Sequence, residues 1–318
     1  MKIFLAILLA CCLASGLSAQ AAGSNDVAII WSAPTNDWPS SLWVYKTVPQ
    51  IFPSAVISNL LAMAAFTMAE NLGTNGRWLY DWNDLNFETP DQKRHLWICS
   101  TYGYIEYEDL TAESEIEKMS IGVPSEAEAY PLALDYLRKF GIDRSQLATR
   151  TSTNDYTGKT DLGIRRYLRR RGWIDQTTHK EVQDVSQQGI YFVRKVDGVD
   201  MDGITHGGVT IGFGQHAKIS ELKITWRGLE PFKLLPTFSP AQIMEEIRLG
   251  HVKWRPSNPS PNDLKRITGF DLFYRGQPGD TDIEKQQHYV EPYIVVYASL
   301  DGNTNATLYG ELPIVQDK

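Results

Sequence analysis

Cysteine is scarce in this chain: there are three in 318 residues, and two of them stand side by side near the start. Cys11 and Cys12 fall in a segment that is predicted below to be removed, which leaves Cys99. A single thiol cannot form a disulfide within the chain, and the adjacent pair is not expected to be a redox or metal site. Stability must therefore come from packing, which a hydrophobic content of 42% and nine tryptophans can support.

Long apolar runs are also rare, and the clearest one lies at the amino end. Lys2 precedes a mostly apolar stretch that reaches Leu17, and residues 19–21 (Ala-Gln-Ala) have the small-x-small pattern of a signal-peptidase site. The stretch is too short to span a bilayer comfortably. We predict a signal peptide over residues 1–21 and a secreted or periplasmic protein.

A lipoprotein signal is the alternative, because residues 8–11 (Leu-Leu-Ala-Cys) are similar to a lipobox. That interpretation leaves a very short apolar region and a second cysteine directly after Cys11. We therefore favour cleavage after Ala21 over lipid anchoring at Cys11. No later segment is predicted to be integral to a membrane, since polar residues interrupt the apolar stretch at 55–72.

Positive charge is in deficit, with a formal net charge of −7. An acidic surface repels phosphate backbones, so nucleic acid is not an expected partner. The sequence also lacks the Gly-x-Ser-x-Gly, His-Glu-x-x-His and phosphate-loop patterns, and His206 and His216 are too few for a zinc site. We predict no cofactor and no metal, and we favour a binding role over an enzymatic one.

Start and stop signals mark three of the predicted helices. The helix predicted at 240–249 has an N-cap Ser239, a proline in its first turn and Gly250 at its end. Its apolar stripe, which includes Ile247, is predicted to be buried against strands, with the runs at 208–213 and 267–274 among those that offer a face. The other two helices are predicted at 55–72 and 131–140.

Most of the remaining pattern is typical of strands. Runs of β-branched and aromatic residues, separated by Gly and Asp, predict an antiparallel meander at 190–196, 208–213 and 219–226. A helix is predicted before each set of strands. This order indicates an α+β fold with antiparallel sheets and helices packed on one face, in helix-then-meander units. A polar stretch divides the predicted mature chain into an N-terminal α+β region, 22–145, and a C-terminal domain, 146–318.

The densest basic run stands at residues 164–171, which we predict to form a short helix. Four arginines then share one side of this helix: Arg165, Arg166, Arg169 and Arg170. Such a surface can hold an anion or an acidic partner. An ordinary solvated helix face is the other interpretation, and it requires no ligand.

Two further groups of residues have candidate chemistry. Cys99 follows His95 by four residues on a predicted strand, which places the two residues about 13 Å apart. This distance is too long for a thiol–base pair, so we predict a structural cysteine.

Asp197, Asp200 and Asp202 suggest a calcium loop, but their spacing lacks the ligands that an EF-hand requires. We predict that these aspartates belong to a turn.

Residues 188–300 carry a pattern that resembles the PepSY-like module, and extracytoplasmic regulatory proteins of the YcdB and YycI type look similar. The pattern consists of a strand ending in Asp-Gly, a strand after glycines, a strand after a turn, a helix start and two closing strands: 192–199, 208–211, 218–222, 237–243, 267–274 and 289–293. The resemblance implies a helix on an antiparallel sheet, outside the cytoplasm, that binds a protein or restrains an enzyme such as a peptidase. It implies no catalytic residues.

Two functions remain open. The first is a non-enzymatic binding or regulatory protein that acts through a sheet surface or edge strand on a protein or cell-envelope component. The second is a secreted hydrolase acting on glycan or peptide, supported by export, size and abundant Trp and Tyr, which stack on sugars but also fill cores. Carboxylates that converge in a deep pocket would favour the hydrolase, and a shallow surface would favour the binding protein.

Overall fold

The computed structural model describes residues 29–36, 38–72, 84–112, 118–149, 164–201, 207–255, 264–276, 289–300 and 303–315. Strands account for 50% of it and helices for 21%, and the strands form two large sheets, one of which curls as a half-barrel. The predicted α+β fold, with helices on one face in helix-then-meander units, is therefore wrong. The signal peptide predicted at 1–21 lies outside the described residues, as do Asp202 and His206.

The larger sheet contains nine of the described strands, numbered along the chain. These are β1 (Ile30–Trp31), β2 (Ser41–Val48), β8 (Lys195–Val196), β9 (Val199–Met201), β12 (Gly228–Pro236), β13 (Lys253–Arg255), β14 (Leu264–Gly276), β15 (Tyr289–Leu300) and β16 (Asn303–Pro313). The main order is β12-β2-β15-β14-β9-β8. β16 joins β15 and β13, while β1 and β9 each pair with β14 in parallel.

The second sheet contains seven of the described strands. These are β3 (Leu85–Glu88), β4 (Arg94–Cys99), β5 (Tyr104–Asp109), β6 (Arg165–Ile174), β7 (Glu181–Val193), β10 (Gly208–Phe213) and β11 (Ile219–Thr225). Their order is β3-β4-β5-β11-β10-β7-β6, and every neighbouring pair is antiparallel. The predicted meander is confirmed as β7, β10 and β11, except that Lys195 and Val196 belong to β8 of the other sheet.

Pairing between distant parts of the chain explains why helix-then-meander units are absent from the described fold. In the seven-stranded sheet, β5 pairs with β11, and in the nine-stranded sheet β2 lies between β12 and β15. Each sheet therefore contains strands from both sides of residue 145. Successive helices and strands along the sequence do not form separate layers.

The described residues contain three α-helices, α1 (Ser54–Ala64), α2 (Glu126–Lys139) and α3 (Pro240–Arg248). The start of α3 is as predicted, because Ser239 accepts the backbone N–H of Gln242 and Gln242 reaches back to Ser239. α2 begins earlier than predicted, at a capping box formed by Ser125 and Glu128, and Pro131 lies inside the helix.

The described core is divided between the two sheets. The largest cluster contains residues of α1 and α2 together with the inner side chains of the seven-stranded sheet, including Phe192, Ile211 and Phe213. A second cluster joins Ile243 and Ile247 of α3 to residues of β14, β15 and β16. Burial of Ile247 is confirmed, but its partners belong to the nine-stranded sheet and not to β10, which was also predicted to offer a face.

No helix in the described ranges is both long and apolar enough to cross a bilayer.

Candidate functional site

The arginine run forms strand β6, so the predicted basic helix is wrong. β6 pairs with β7 along its length, from Arg165 opposite Tyr191 to Ile174 opposite Glu181, with one register shift between Arg169 and Arg170. The hydrogen-bonded pairing with β7 makes residues 165–174 a strand. The spacing of the arginines alone could not reveal this partner. Since side chains alternate along a strand, Arg166 and Arg170 lie on one face and Arg169 on the other.

Three of the four predicted arginines have described side chains, and the structure does not gather these three into one site. Arg166 pairs with Glu126 of α2 and lies over the ring of Tyr130. Arg169 pairs with Glu221 of β11 across 3.2 Å. Arg170 is exposed, and the side chain of Arg165 lies outside the described part.

Arg171, the next residue, holds the hairpin to the body of the protein. Its guanidinium contacts the buried carboxylate of Asp184 at 3.0 Å, and Ser120 donates to the same carboxylate oxygen through its backbone N–H and its hydroxyl. Burial by itself would raise the pKa of Asp184, but the hydrogen bonds from Ser120 and the contact with Arg171 outweigh it and lower that pKa. This group is a structural anchor.

Cys99 is fully buried, and burial raises the pKa of its thiol to about 12. His95 lies opposite Glu108, with 3.8 Å between the ring and the carboxylate. A thiol with so high a pKa stays protonated at neutral pH and is a poor nucleophile.

Asp197 and Gly198 form the tight turn between β8 and β9, with φ values of 49° and 82°. Positive φ at both positions is typical of a two-residue hairpin turn. The predicted turn is thus present at this point, and Asp202 lies outside the described part. Among the residues described, no group of three or more His, Cys, Asp or Glu is placed to hold a metal ion.

A cleft of about 810 Å³ opens between α3 and the edge strand β12, and we call it the α3–β12 cleft. Its apolar lining comes from β2, β12, β15, β16 and the residues beside them: Val44, Phe232, Leu235, Phe238, Tyr289, Leu312, Pro313 and Val315. Its polar lining consists of Lys233, Gln242, Glu246, His251 and Glu291.

A carboxylate–imidazole pair stands on the α3 wall of this cleft. α3 ends at Arg248, and Gly250, at φ 76°, reverses the chain, so that the backbone N–H of His251 donates to the carbonyl of Glu246. The same reversal brings the His251 Nδ1 to 2.7 Å from the Glu246 carboxylate. Two residues five apart in sequence therefore act as one polar group at the cleft wall.

The opposite rim is aromatic. Phe232 is 56% exposed and its ring lies 5.0 Å from that of Tyr289. Phe232 has no partner position on β2, because the register shifts between Pro231 and Lys233. The bulge directs this large apolar side chain to the cleft mouth.

A second cleft of about 760 Å³ lies where the β8–β9 hairpin meets β14, and we call it the aspartate cleft. Asp197, Asp200 and Asp271 line it together with Lys195 and Phe270. The hydroxyl of Tyr297 donates to Asp271 at 2.6 Å, and that of Tyr45 donates to Asp197. These contacts orient two of the three carboxylates.

Sequence reasoning missed both clefts. For the Glu246–His251 pair the available signal was the predicted helix stop at Gly250, after which the chain must turn back over the last turn. For the aspartate cleft the available signal was the Asp-Gly turn at 197–198. The sequence did not indicate that Asp271 of β14 lies beside this turn.

Comparison with known proteins adds no function. No family model and no curated protein matches the chain. Solved structures similar to it include an uncharacterized protein from Eubacterium rectale, at 12% identity and a TM-score of 0.45, covering 89% of this chain and 85% of that one. The resemblance to PepSY-like modules stays a prediction.

Proposed function

We propose that the protein is an extracytoplasmic, non-enzymatic binding or regulatory protein, and that the α3–β12 cleft takes a segment of a partner protein. The segment presents an apolar side chain to the floor of the cleft and a basic side chain to its acidic wall. The observation that supports this proposal is the composition of the cleft: mostly apolar walls, with carboxylates on the side of α3 and at the start of β15.

The size and lining of the cleft fit such a ligand. Its volume of about 810 Å³ falls in the range of roughly 300–1,000 Å³ that binding clefts occupy. Glu246 and Glu291 contribute two negative charges against the one positive charge of Lys233, so the cleft favours a cationic group. Among the described lining residues there is no Ser, Thr or Cys, the usual nucleophiles of covalent catalysis.

Site-specific photocrosslinking tests the proposal. Phe232 is replaced by benzoylphenylalanine, the protein is expressed in its native host, and the cell is irradiated. We expect one or a few discrete adducts that disappear when Glu246→Lys is added, because the added cation repels the basic group of the ligand. The same photoreactive residue at Leu132, exposed on α2, is the matched control.

Absence of a Phe232 adduct, or an identical adduct pattern from Leu132, would refute a partner in this cleft.

Export is tested separately by N-terminal sequencing. We propose that the mature chain begins at Ala22, because residues 19–21 fit the processing site. A lipid-modified Cys11 at the first position would contradict it.

Hydrolysis of a glycan or peptide is the second candidate, and the aspartate cleft is the observation that favours it. Three carboxylates lie in one cleft with Lys195, and a pair of carboxylates is what glycoside hydrolysis requires. A screen of the purified protein against envelope glycans tests this candidate. Activity that Asp271→Asn abolishes, and that Glu246→Gln leaves intact, would establish the hydrolase and displace the binding proposal.

A further inference from the structure

The edge formed by β6 is open for further pairing within the described structure. β6 is the terminal strand of the seven-stranded sheet, and β7 is its one neighbour among the strands described. Its ten residues, Arg165–Ile174, include no proline. Every second residue of such a strand turns its N–H and C=O away from the sheet, and these groups are a template for another strand.

Basic and apolar side chains alternate on one face of this edge. Arg166, Leu168, Arg170 and Ile174 lie on the same face by the two-residue period. Leu168 is 46% exposed and Ile174 is 51% exposed. An added strand would meet apolar contacts and positive charges in turn.

A second copy of the chain is a poor occupant of the edge. Antiparallel pairing of two β6 strands would bring arginines opposite arginines, and like charges directly across a ladder are destabilising. The arginines thus protect the edge against self-association without blocking its hydrogen-bonding groups.

We propose that β6 binds an extended, acidic segment of another protein by strand addition. The segment alternates carboxylate and apolar side chains, so that its carboxylates face the arginines and its apolar side chains cover Leu168 and Ile174. Charge complementarity supports this occupant: β6 contains five arginines, although the whole chain has a net charge of −7.

The existing ion pairs leave room for an incoming carboxylate. The Arg166–Glu126 and Arg169–Glu221 pairs have side chains that are between 30% and 54% exposed. Exposed pairs are weak and exchange partners readily. The Arg171–Asp184 pair is largely buried and stays in place as the anchor of the hairpin.

Two fluorescein-labelled ten-residue peptides provide the probe, one alternating Glu and Val and the other alternating Lys and Val. We expect the acidic peptide to raise the fluorescence anisotropy of the mixture and the basic peptide to leave it unchanged. Arg170→Glu should weaken binding about tenfold, because it reverses an exposed charge beside the added strand. Arg138→Glu, at an exposed arginine on α2, is the control and should have little effect.

Hydrogen exchange distinguishes strand addition from simple charge attraction. With the acidic peptide bound, we expect every second backbone amide of β6 to gain protection. The proposal is overturned if exchange in β6 does not change, if both peptides bind equally, or if light scattering shows that the chain alone dimerises through this edge. These measurements do not involve the α3–β12 cleft, so they stand apart from the proposed function.

Discussion

The two sheets bury their side chains in different ways. The seven-stranded sheet shares one large cluster with two helices, α1 and α2, and its buried side chains reach from Phe87 on β3 to Ile190 on β7. The nine-stranded sheet divides its core into three clusters, of which one includes α3 and two consist of strand residues around Tyr274 and Tyr293. Aromatic side chains thus replace helices over part of the nine-stranded sheet.

Their free edges differ as well. The β12 edge has prolines at 231 and 236, opposite Tyr45 and Ser41 of β2, so both backbone nitrogens point to the same side. Proline has no N–H and is tolerated in a strand where that position faces away from the ladder. The β6 edge keeps its N–H groups and has arginines instead. The prolines of β12 disfavour the pairing of any further strand with that edge. The arginines of β6 disfavour pairing with a second copy of β6 and leave its N–H groups available to other strands.

The largest expected effect tests how far the nine-stranded sheet depends on its helix. Ile247→Asp places a charge in the cluster between α3 and β14–β16 and should lower the free energy of unfolding by more than about 4 kcal/mol. Urea unfolding followed by circular dichroism measures it. Leu249→Asp, exposed at the end of the same helix, is the control and should cost less than about 1 kcal/mol.

A loss below about 1 kcal/mol for Ile247→Asp would mean that α3 contributes little to that core. The difference between the two sheets would then lie in their strands alone.

An intermediate effect is expected at the anchor of the β6 edge. Arg171→Ala leaves the buried carboxylate of Asp184 with the hydrogen bonds of Ser120 but without its positive partner, and should cost about 2–3 kcal/mol. Thermal unfolding gives the value. Arg170→Ala removes an exposed arginine of the same strand and should change stability by less than about 0.5 kcal/mol. Equal losses in the two variants would show that Arg171 is no anchor.

The smallest stability effect, and the sharpest test of the edges, concerns the prolines of β12. Pro231→Thr combined with Pro236→Thr restores two N–H groups beside the exposed Phe232 and Leu234. We expect a change of less than about 1 kcal/mol in stability but an increase in the mean mass measured by light scattering. Pro90→Thr, in the turn between β3 and β4, should leave the mass unchanged. An unchanged mass for the β12 variant would show that the prolines are not what protects this edge.

Local signals explain which parts of the fold were predictable. The capping box at Ser239 and the stop at Gly250 define α3 because both act within one turn of the helix. The β7, β10 and β11 meander was predictable because consecutive strands joined by short turns pair with each other. Burial of Ile247 followed from the apolar stripe of α3.

Contacts between distant residues explain the failures. The arginines of β6 have the spacing of a helix face, and only the partner strand makes them a strand. β12 was not predicted at all, because its two prolines disfavour a strand and its pairing with β2 spans most of the chain. The α3–β12 cleft needs both of these elements, so its lining could not be inferred from the sequence.

The position of β2 has a consequence for the way the chain folds. β2 lies between β12 and β15, strands that are separated from it by most of the sequence. When the chain emerges from its amino end, β2 appears before β12 and β15. β2 therefore stays unpaired with these strands until they have emerged. Closure of the nine-stranded sheet is therefore expected to be a late and slow step, and a chaperone that holds the segment around β2 should raise the yield of refolded protein.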